Sequence, residues 1–299
     1  MSELAAAPSA DPIIVGTDGS PPADAAVTWA ADEAARLRRP LLIVHAVERW
    51  LYDIPRFPVR GARDPLTEAG RELLVDAEKL AHERRPDIDI TTDLVEDEAG
   101  HALRRLAPDA FEIVLGNRGH GGFAALLLGS TGLRMAGHTP GPVIIVRGAA
   151  DPPRGRVAAG IDLEGDSAGM LGYAFGAAAA RGARLHVVHA SRRPIDATAG
   201  EHPPGTERYD LKARSTIGEL LAPWRPRYAD LDISVEVVSG HPAAALVEAS
   251  RTADLVVTGA HGDDGRHAGR LGSGGRLGSV CHGVIHHAHC PVAVVRDRD

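Results

Sequence analysis

A glycine-rich stretch in the first half of the chain has the residue types and spacing of a loop that binds phosphate. Gly116 and Gly119 follow an apolar run, and nine residues later Gly129 precedes Ser130 and Thr131. Glycine lets the backbone approach an anion and adopt positive φ. Successive backbone N–H groups in such a loop, and at the start of the helix behind it, donate to phosphate oxygens. A few glycines after a strand can also be only a turn, so the interpretation depends on the elements around them.

Those elements occur twice along the chain. Residues 13–18 (IIVGTD) and 157–162 (VAAGID) are short apolar runs that end in an acid, as buried parallel strands do, and Asp18 and Asp162 are 144 residues apart. Further pairs at the same offset are Trp29 and Tyr173, His45 and His189, and Ala46 and Ala190. We therefore treat the chain as two repeats.

Each repeat alternates predicted strands and helices in the order β-α-β-α-β-α-β-α-β. Helices are predicted at 23–37, 67–84, 98–107, 167–181, 207–222 and 242–252, and the later strands at 88–95, 112–116, 142–147, 231–238, 254–259 and 291–296. This alternation predicts an α/β fold of two tandem doubly wound domains, each with a five-stranded parallel sheet flanked by helices. We expect domains at 1–149 and 156–299, joined by a Pro- and Gly-containing linker at 150–155.

In this order the pieces resemble the universal stress proteins in their tandem two-domain form. The pattern G-x-x-G, nine residues, G-S/T is that family's nucleotide-binding signature. V-G-x-D-G-S at 15–20, V-H-A-V at 44–47 and H-x-x-C-P-V at 287–292 support the resemblance, which covers almost the whole chain. The resemblance also implies that the two halves pack as a pseudo-dimer through their final strands.

The resemblance implies a role for each matching residue of the first repeat. Gly16 and Asp18 would line the ribose and phosphate side of a nucleotide, and Ala46 would recognise adenine through its main chain. The other predicted nucleotide-binding residues of this repeat are Gly116, Asn117, Arg118, Gly119, His120, Gly121, Gly122, Gly129, Ser130 and Thr131. Asp18 precedes a predicted helix, so a role as its N-cap is the alternative interpretation, and the two are compatible.

The second repeat keeps most of these positions. Its predicted nucleotide-binding residues are Gly160, Asp162, Ala190, Gly259, Ala260, His261, Gly262, Gly278, Ser279 and Val280. Gly272 and Ser273 also complete the signature, but Gly129 and Gly278 both precede the proline of the final strand by 13 residues, whereas Gly272 precedes it by 19. We therefore align Gly278 with Gly129.

Two changes distinguish the second repeat from the first. The sequence GRLGS occurs at 269–273 and again at 275–279, which lengthens the loop from nine to 15 residues. His120-Gly121-Gly122 becomes Asp263-Asp264-Gly265, and Gly19-Ser20 becomes Leu163-Glu164. Carboxylates repel a polyphosphate unless a cation such as Mg²⁺ intervenes. A weaker or altered second site and an intact one both remain open.

Composition excludes several classes of protein. The formal net charge of −7 argues against nucleic-acid binding. We find neither the pattern of a signal peptide nor an uninterrupted apolar stretch of membrane-spanning length, and with only two cysteines we expect a cytoplasmic protein. His282 and His286 are spaced i, i+4 on one helix face, but the cysteines lack paired zinc-site spacing, so no metal site is predicted.

The expected function is that of an ATP-binding stress-response regulator or nucleotide-dependent switch with little or no hydrolysis. ATP is the expected ligand, with Mg²⁺ as an open addition, and we expect an unidentified protein partner and a homodimer. No catalytic residues are predicted, because no nucleophile–base–acid arrangement is visible and His45 and His189 are expected to be core or pocket-lining side chains. The alternatives are a nucleotide-free interaction or scaffold protein of the same family and a slow ATPase.

Overall fold

The computed structural model describes residues 11–48, 65–119, 129–148, 153–165, 167–191, 206–260 and 277–296. The chain forms two compact units, Met1–Gly121 and Gly122–Asp299. This division lies within the first repeat, because the last strand of that repeat pairs inside the second unit. The domain limits at 149 and 156 stay a prediction, and residues 150–152 of the expected linker lie outside the described ranges.

The first unit is a parallel sheet with helices between its strands. Its strands are β1 (Ile13–Gly16), β2 (Leu41–Ala46), β3 (Ile90–Val95) and β4 (Glu112–Gly116), and its helices are α1 (Pro21–Leu37), α2 (Pro65–Arg84) and α3 (Ala99–Leu106). The strand order is β3-β2-β1-β4, and each pair of neighbouring strands is parallel. Small apolar residues at helical spacing, such as Ala23, Ala26 and Ala30, bury one face of α1.

The second unit contains the end of the first repeat and the whole described part of the second. Its strands are β5 (Gly141–Val146), β6 (Arg156–Gly160), β7 (Arg184–Ser191), β8 (Ile233–Ser239), β9 (Leu255–Gly259) and β10 (Val292–Arg296). Its helices are α4 (Ser130–His138), α5 (Ala168–Arg181), α6 (Thr206–Leu221), α7 (Pro242–Ser250) and α8 (Ser279–His287). The α/β fold predicted from the alternation is thus confirmed, with element limits close to those expected.

Strand pairing in the second unit combines parallel and antiparallel neighbours. The order is β5-β10-β9-β6-β7-β8, and the five strands from β10 to β8 are parallel, as predicted for the second repeat. Strand β5 is antiparallel to β10, with Gly141 opposite Arg296 and Ile145 opposite Val292. The last strands of the two repeats therefore pair directly, which is the pairing that the resemblance implied.

The carboxyl ends of the parallel strands are the edge at which open α/β sheets bind ligands. In the first unit, β1 and β4 end at Gly16 and Gly116. In the second unit, β6 and β9 end at Gly160 and Gly259. Both repeats thus bring glycines to the edge where the sequence placed its candidate residues.

Candidate functional site

Asp18 and Gly119 lie against each other at the carboxyl edge of the first unit, although they are far apart in sequence. A Cβ atom added to Gly119 would lie 2.3 Å from Oδ2 of Asp18, so no side chain fits at this position without displacing the carboxylate. The other oxygen, Oδ1, accepts hydrogen bonds from the backbone N–H (3.1 Å) and the hydroxyl (2.6 Å) of Ser20. The carboxylate is therefore held in a fixed direction beside the glycine-rich loop.

Asp18 does not cap helix α1. The helix begins at Pro21, and its N-cap position is occupied by Ser20. Asp18 lies two residues before that cap and fixes the turn that leads into it. The N-cap interpretation was wrong, because α1 begins at Pro21, where proline is favoured in the first turn of a helix, and the cap position is therefore Ser20.

Two glycines of the first unit are required by packing as well as by any ligand. A Cβ atom on Gly116 would lie 2.6 Å from the carbonyl oxygen of Pro22, so the end of β4 touches the backbone of α1. A Cβ atom on Gly16 would lie 2.8 Å from the side chain of Leu115. Asn117 is partly exposed and Arg118 is exposed beyond β4. His120, Gly121 and Gly122 lie outside the described residues.

A histidine occupies the same position in both repeats and makes the same backbone contact. Nδ1 of His45 is 2.8 Å from the carbonyl oxygen of Thr17, and Nδ1 of His189 is 3.1 Å from that of Ile161. Because a carbonyl can only accept, Nδ1 carries the proton, and in the neutral ring Nε2 is an acceptor. These contacts fix both rings at the strand ends next to Ala46 and Ala190.

The second repeat shows which glycine precedes the last helix. Helix α8 begins at Ser279 with Gly278 as its extended N-cap, and α4 begins at Ser130 with Gly129 in the same conformation. Gly278 is thus the structural equivalent of Gly129, as the distance from the final strand indicated. Its N–H donates to the carbonyl oxygen of Ala260 over 3.0 Å, which joins the two ends of the intervening segment. That segment, 261–276, with His261, Gly262, Gly272 and Ser273, is not among the described residues.

A cavity of about 360 Å³ lies at the carboxyl edge of the second repeat. Strand ends of β6, β7 and β9 form its floor, and residues of α6, α7 and α8 form its walls. Five of the predicted site residues line it together: Gly160, Asp162, Ala190, Gly259 and Val280. Ala260, Gly278 and Ser279 are not among its lining residues but lie beside it in the chain. The structure therefore gathers predicted positions that the sequence scatters over more than one hundred residues.

Polar side chains that line this cavity form hydrogen bonds with neighbouring groups. Oδ1 of Asp162 accepts from the backbone N–H of Glu164 over 3.1 Å, which repeats the turn that Asp18 makes in the first unit. Nε2 of His189 is 3.0 Å from the hydroxyl of Tyr209 on α6, and only 7 % of His189 is exposed. A Cβ atom on Gly160 would lie 2.5 Å from Leu246, so this strand end packs on α7 as Gly16 packs on its own neighbours.

Cys281 also lines the cavity, but it is not an activated nucleophile. Burial raises the pKa of the Cys281 thiol to about 12, although the nearby Arg296 opposes this effect. Burial likewise raises the pKa of Cys290 to about 12. A reactive cysteine needs a lowered pKa and access to solvent. Both thiols are therefore protonated core side chains.

The histidine-rich end of α8 is a cluster of rings. The ring centroids of His282 and His286 are 4.4 Å apart. Burial lowers the pKa of His286, and the charges of His282, His287 and Arg147 lower it further. Within the ranges that the structure describes, no group of three or more His, Cys, Asp or Glu side chains could hold a metal ion.

Tyr209 and Leu246 were missed by the sequence reasoning. Buried positions align α6 with α2 at an offset of 143, since Ala213 matches Gly70 and Ile217 matches Leu74. Tyr209 then corresponds to Leu66, whose side chain has no hydrogen-bond donor or acceptor. The change from leucine to tyrosine is visible in the sequence, but only after the helices have been aligned.

Comparison with known proteins agrees with this repeated architecture. The sequence model of the universal stress protein family matches the chain twice, at residues 10–147 and 153–296. The chain belongs to the universal stress protein family. It has the tandem form of that family, because both matches lie in one polypeptide.

Relatives of similar length carry the same name. A universal stress protein of Mycolicibacterium smegmatis is 32 % identical over 296 residues, covering 96 % of this chain and 97 % of the relative. A universal stress protein of Mycobacterium tuberculosis is 33 % identical over 294 residues, with 95 % and 96 % covered. The crystal structure of a universal stress protein from Archaeoglobus fulgidus superposes with a TM-score of 0.70 at 18 % identity, over 96 % of this chain and 98 % of that one. That structural likeness shows the shared fold.

The helices of this universal stress protein are those of a folded α/β core. In the part of the chain that the structure describes, none is both long enough and apolar enough to cross a membrane.

Proposed function

We propose that this universal stress protein binds an adenine nucleotide, with ATP as the ligand of the first repeat. The observation that carries the general proposal of an adenine-containing ligand is the cavity at the carboxyl edge of the second repeat, which five predicted site residues line together. Because the repeats share one fold, the equivalent residues Gly16, Asp18, Ala46 and Gly116 belong to the same edge in the first repeat.

The contact between Asp18 and Gly119 supports a nucleotide at the first repeat in particular. A glycine with no room for a Cβ atom keeps the backbone beside a fixed carboxylate free of side chains. The carboxylate is also a suitable oxygen ligand for Mg²⁺, which in nucleotide sites is held by one or two carboxylates together with the phosphates. Asp18 would hold such an ion, which would reduce the repulsion between the carboxylate and the phosphate oxygens.

We propose a binding switch with little or no hydrolysis, acting in the cytoplasm in the stress response. In the cavity of the second repeat the Cys281 thiol is protonated, and Nε2 of His189 already bonds the hydroxyl of Tyr209, so neither group offers a free nucleophile or base. A nucleotide that binds one conformation of the glycine-rich loop better than another shifts the population toward it. A protein partner that contacts the loop would then distinguish the two states, and a homodimer remains part of the proposal.

Nucleotide analysis of the purified full-length protein tests this function. The protein is denatured, and the released small molecules are identified by mass spectrometry, before and after incubation with ATP and Mg²⁺. We expect adenine nucleotide in the released fraction, and ATP that stays largely intact over hours of incubation. A protein that is empty and ignores added ATP would instead be a nucleotide-free interaction protein. Steady conversion to ADP that depends on the intact first repeat would make it an ATPase.

A further inference from the structure

We infer that the cavity of the second repeat binds an adenine nucleoside, or a nucleotide with one phosphate, in preference to ATP. This inference rests on the proposed function, because it assigns a narrower ligand to the second of two related sites. It depends on three features of the cavity: its size, the sign of its charge and a pair of aromatic rings.

The size of the cavity suits a small ligand. Its volume of about 360 Å³ is near the lower end of the roughly 300–1,000 Å³ that is typical of small-molecule sites. Apolar side chains of Met170 and Leu246 contribute to its walls, and glycine backbone at Gly160 and Gly259 contributes to its floor. An uncharged, flat molecule can bury most of its surface in such a space.

The charge of the cavity disfavours a polyphosphate. Its charged lining residues in the described part of the chain are Asp162 and Glu164, and that lining contains no lysine or arginine. At the two positions equivalent to Leu163 and Glu164, the first repeat has the neutral residues Gly19 and Ser20. A Mg²⁺ ion held by one carboxylate, as proposed for Asp18, would keep a net positive charge toward phosphates, whereas Asp162 and Glu164 together would cancel the charge of one such ion. The second repeat thus offers a triphosphate less net attraction. A nucleoside does not depend on this attraction.

The rings of His189 and Tyr209 both line the cavity and are hydrogen-bonded to each other. Their centroids are 6.3 Å apart and their planes differ by 29°. The hydroxyl of Tyr209 donates to Nε2 of His189, while Nδ1 donates to the carbonyl oxygen of Ile161. Both rings are therefore held in place before a ligand arrives. A planar purine base gains from offset stacking on such rings.

In the described part of the first repeat, no aromatic side chain stands at the position of Tyr209. Leu66 stands where the second repeat has Tyr209, and Gly70 brings α2 close to the ring of His45, with 3.1 Å between an added Cβ atom and Cδ2. The second repeat thus exchanges features suited to phosphate for features suited to a base. This difference is what we expect of two sites with different ligands.

Calorimetric titration of the full chain tests the inference, with Gly119→Asp as the background in which nucleotide binding at the first site is weakened. Adenosine, AMP and ATP are titrated separately with Mg²⁺ present. We expect adenosine and AMP to bind at least about tenfold more tightly than ATP, since each unfavourable contact between charges at short range changes the affinity by about that factor. ATP binding as tight as that of adenosine would overturn the inference.

Variants that carry the residues of the first repeat at equivalent positions show where the ligand binds. Glu164→Ser should raise the affinity for ATP about fivefold and change that for adenosine less than about twofold, since Glu164 is exposed to water. Tyr209→Leu should weaken adenosine binding about tenfold or more, whereas Tyr209→Phe, which keeps the ring, should have a smaller effect. If Tyr209→Leu leaves the affinity for adenosine unchanged, the ligand binds elsewhere.

Failure of this inference and failure of the proposed function give different results. A wild-type chain that binds ATP, together with a Gly119→Asp chain that binds no adenosine, would overturn the second-site assignment alone. A wild-type chain that binds neither ligand would overturn both.

Discussion

Arg147 and Arg296 each bind the end of a helix that belongs to the other repeat. The guanidinium of Arg147, next to β5, donates to the carbonyl oxygen of Ile285 in α8 over 2.6 Å. The guanidinium of Arg296, the last residue of β10, donates to the carbonyl oxygen of Gly137 in α4 over 2.5 Å. The last carbonyls of a helix lack partners within it and carry its partial negative charge, so a cation is favoured there. The exchange reinforces the antiparallel pair β5–β10 at both ends.

This exchange predicts that both arginines stabilise the second unit. Arg147→Ala and Arg296→Ala should each lower the free energy of unfolding by about 1–3 kcal/mol, because each removes a charged hydrogen-bond donor from a partly buried carbonyl. Urea denaturation followed by circular dichroism gives the change. The corresponding lysine variants keep the charge and should lose less. Alanine variants as stable as the wild type would show that the two contacts contribute nothing.

At the strand ends, Gly160 and Gly116 should respond differently when each is replaced by alanine and stability is measured. Gly160→Ala meets the flexible side chain of Leu246, so it should cost about 1–3 kcal/mol and be partly rescued by Leu246→Val. Gly116→Ala meets the carbonyl oxygen of Pro22, which is backbone and cannot move aside, so no single side-chain change should rescue it. Thermal and urea denaturation of the single and double variants measure both. Equal rescue in the two cases would contradict the contacts described.

The buried thiols predict low reactivity in the folded protein. With pKa values of about 12, the thiolate fraction of Cys281 and Cys290 at pH 8 is about 10⁻⁴, far below that of an exposed cysteine. Labelling with a thiol reagent should therefore be slow without denaturant and fast in urea. Rapid labelling of either residue under native conditions would contradict the burial.

The same pKa shifts predict how stability changes at high pH. Both folded-state values lie above the ordinary value of 9.0, so the folded protein keeps protons that the unfolded chain releases. The stabilisation is fully present below about pH 9 and is lost as the pH rises toward 12. Urea midpoints measured between pH 8 and 10.5 should fall less in Cys281→Ala than in the wild type. An equal fall in both proteins would contradict the assignment.

The lowered pKa of His286 predicts that stability falls at low pH, whereas the raised pKa values of the cysteines predict a fall at high pH. Its folded-state pKa lies below the ordinary value of 6.5, mainly because of burial, so the unfolded chain takes up a proton that the folded state resists. Stability should fall as the pH drops below about 6.5. The free energy of unfolding should fall less between pH 7 and 5 in His286→Gln than in the wild type. The control is His138→Gln, whose ring is exposed at the end of α4, and its free energy of unfolding should fall as much as that of the wild type. A full fall in His286→Gln would contradict this.

Local patterns were sufficient to predict the repeat, the alternation of elements and the register of Gly278. Each of these depends on residues that are near in sequence or on a comparison of the two halves. The close contact between Asp18 and Gly119 was not predictable, because it depends on how β1 and β4 lie side by side. The contact between His189 and Tyr209 was hidden for a similar reason, since the segments before α2 and α6 have no shared period and obscure the alignment of the helices.

The division into compact units also escaped the sequence. Nothing in the local pattern of 142–147 says that this strand will pair with β10 and so contribute to the second unit. The alternatives for Asp18 could be separated only by seeing where α1 begins. Long-range pairing and the exact start of a helix are set by tertiary packing rather than by local propensity.

Equilibrium titration with ATP tests the central claim most directly. The wild-type chain is compared with two variants. Gly119→Asp places a second carboxylate against Asp18. Gly218→Ala, on α6, is the control, because its added methyl group would lie more than 4 Å from neighbouring atoms. We predict that Gly119→Asp weakens the tighter ATP binding about tenfold or more while Gly218→Ala leaves it unchanged. Equal ATP affinity in all three proteins would contradict the account.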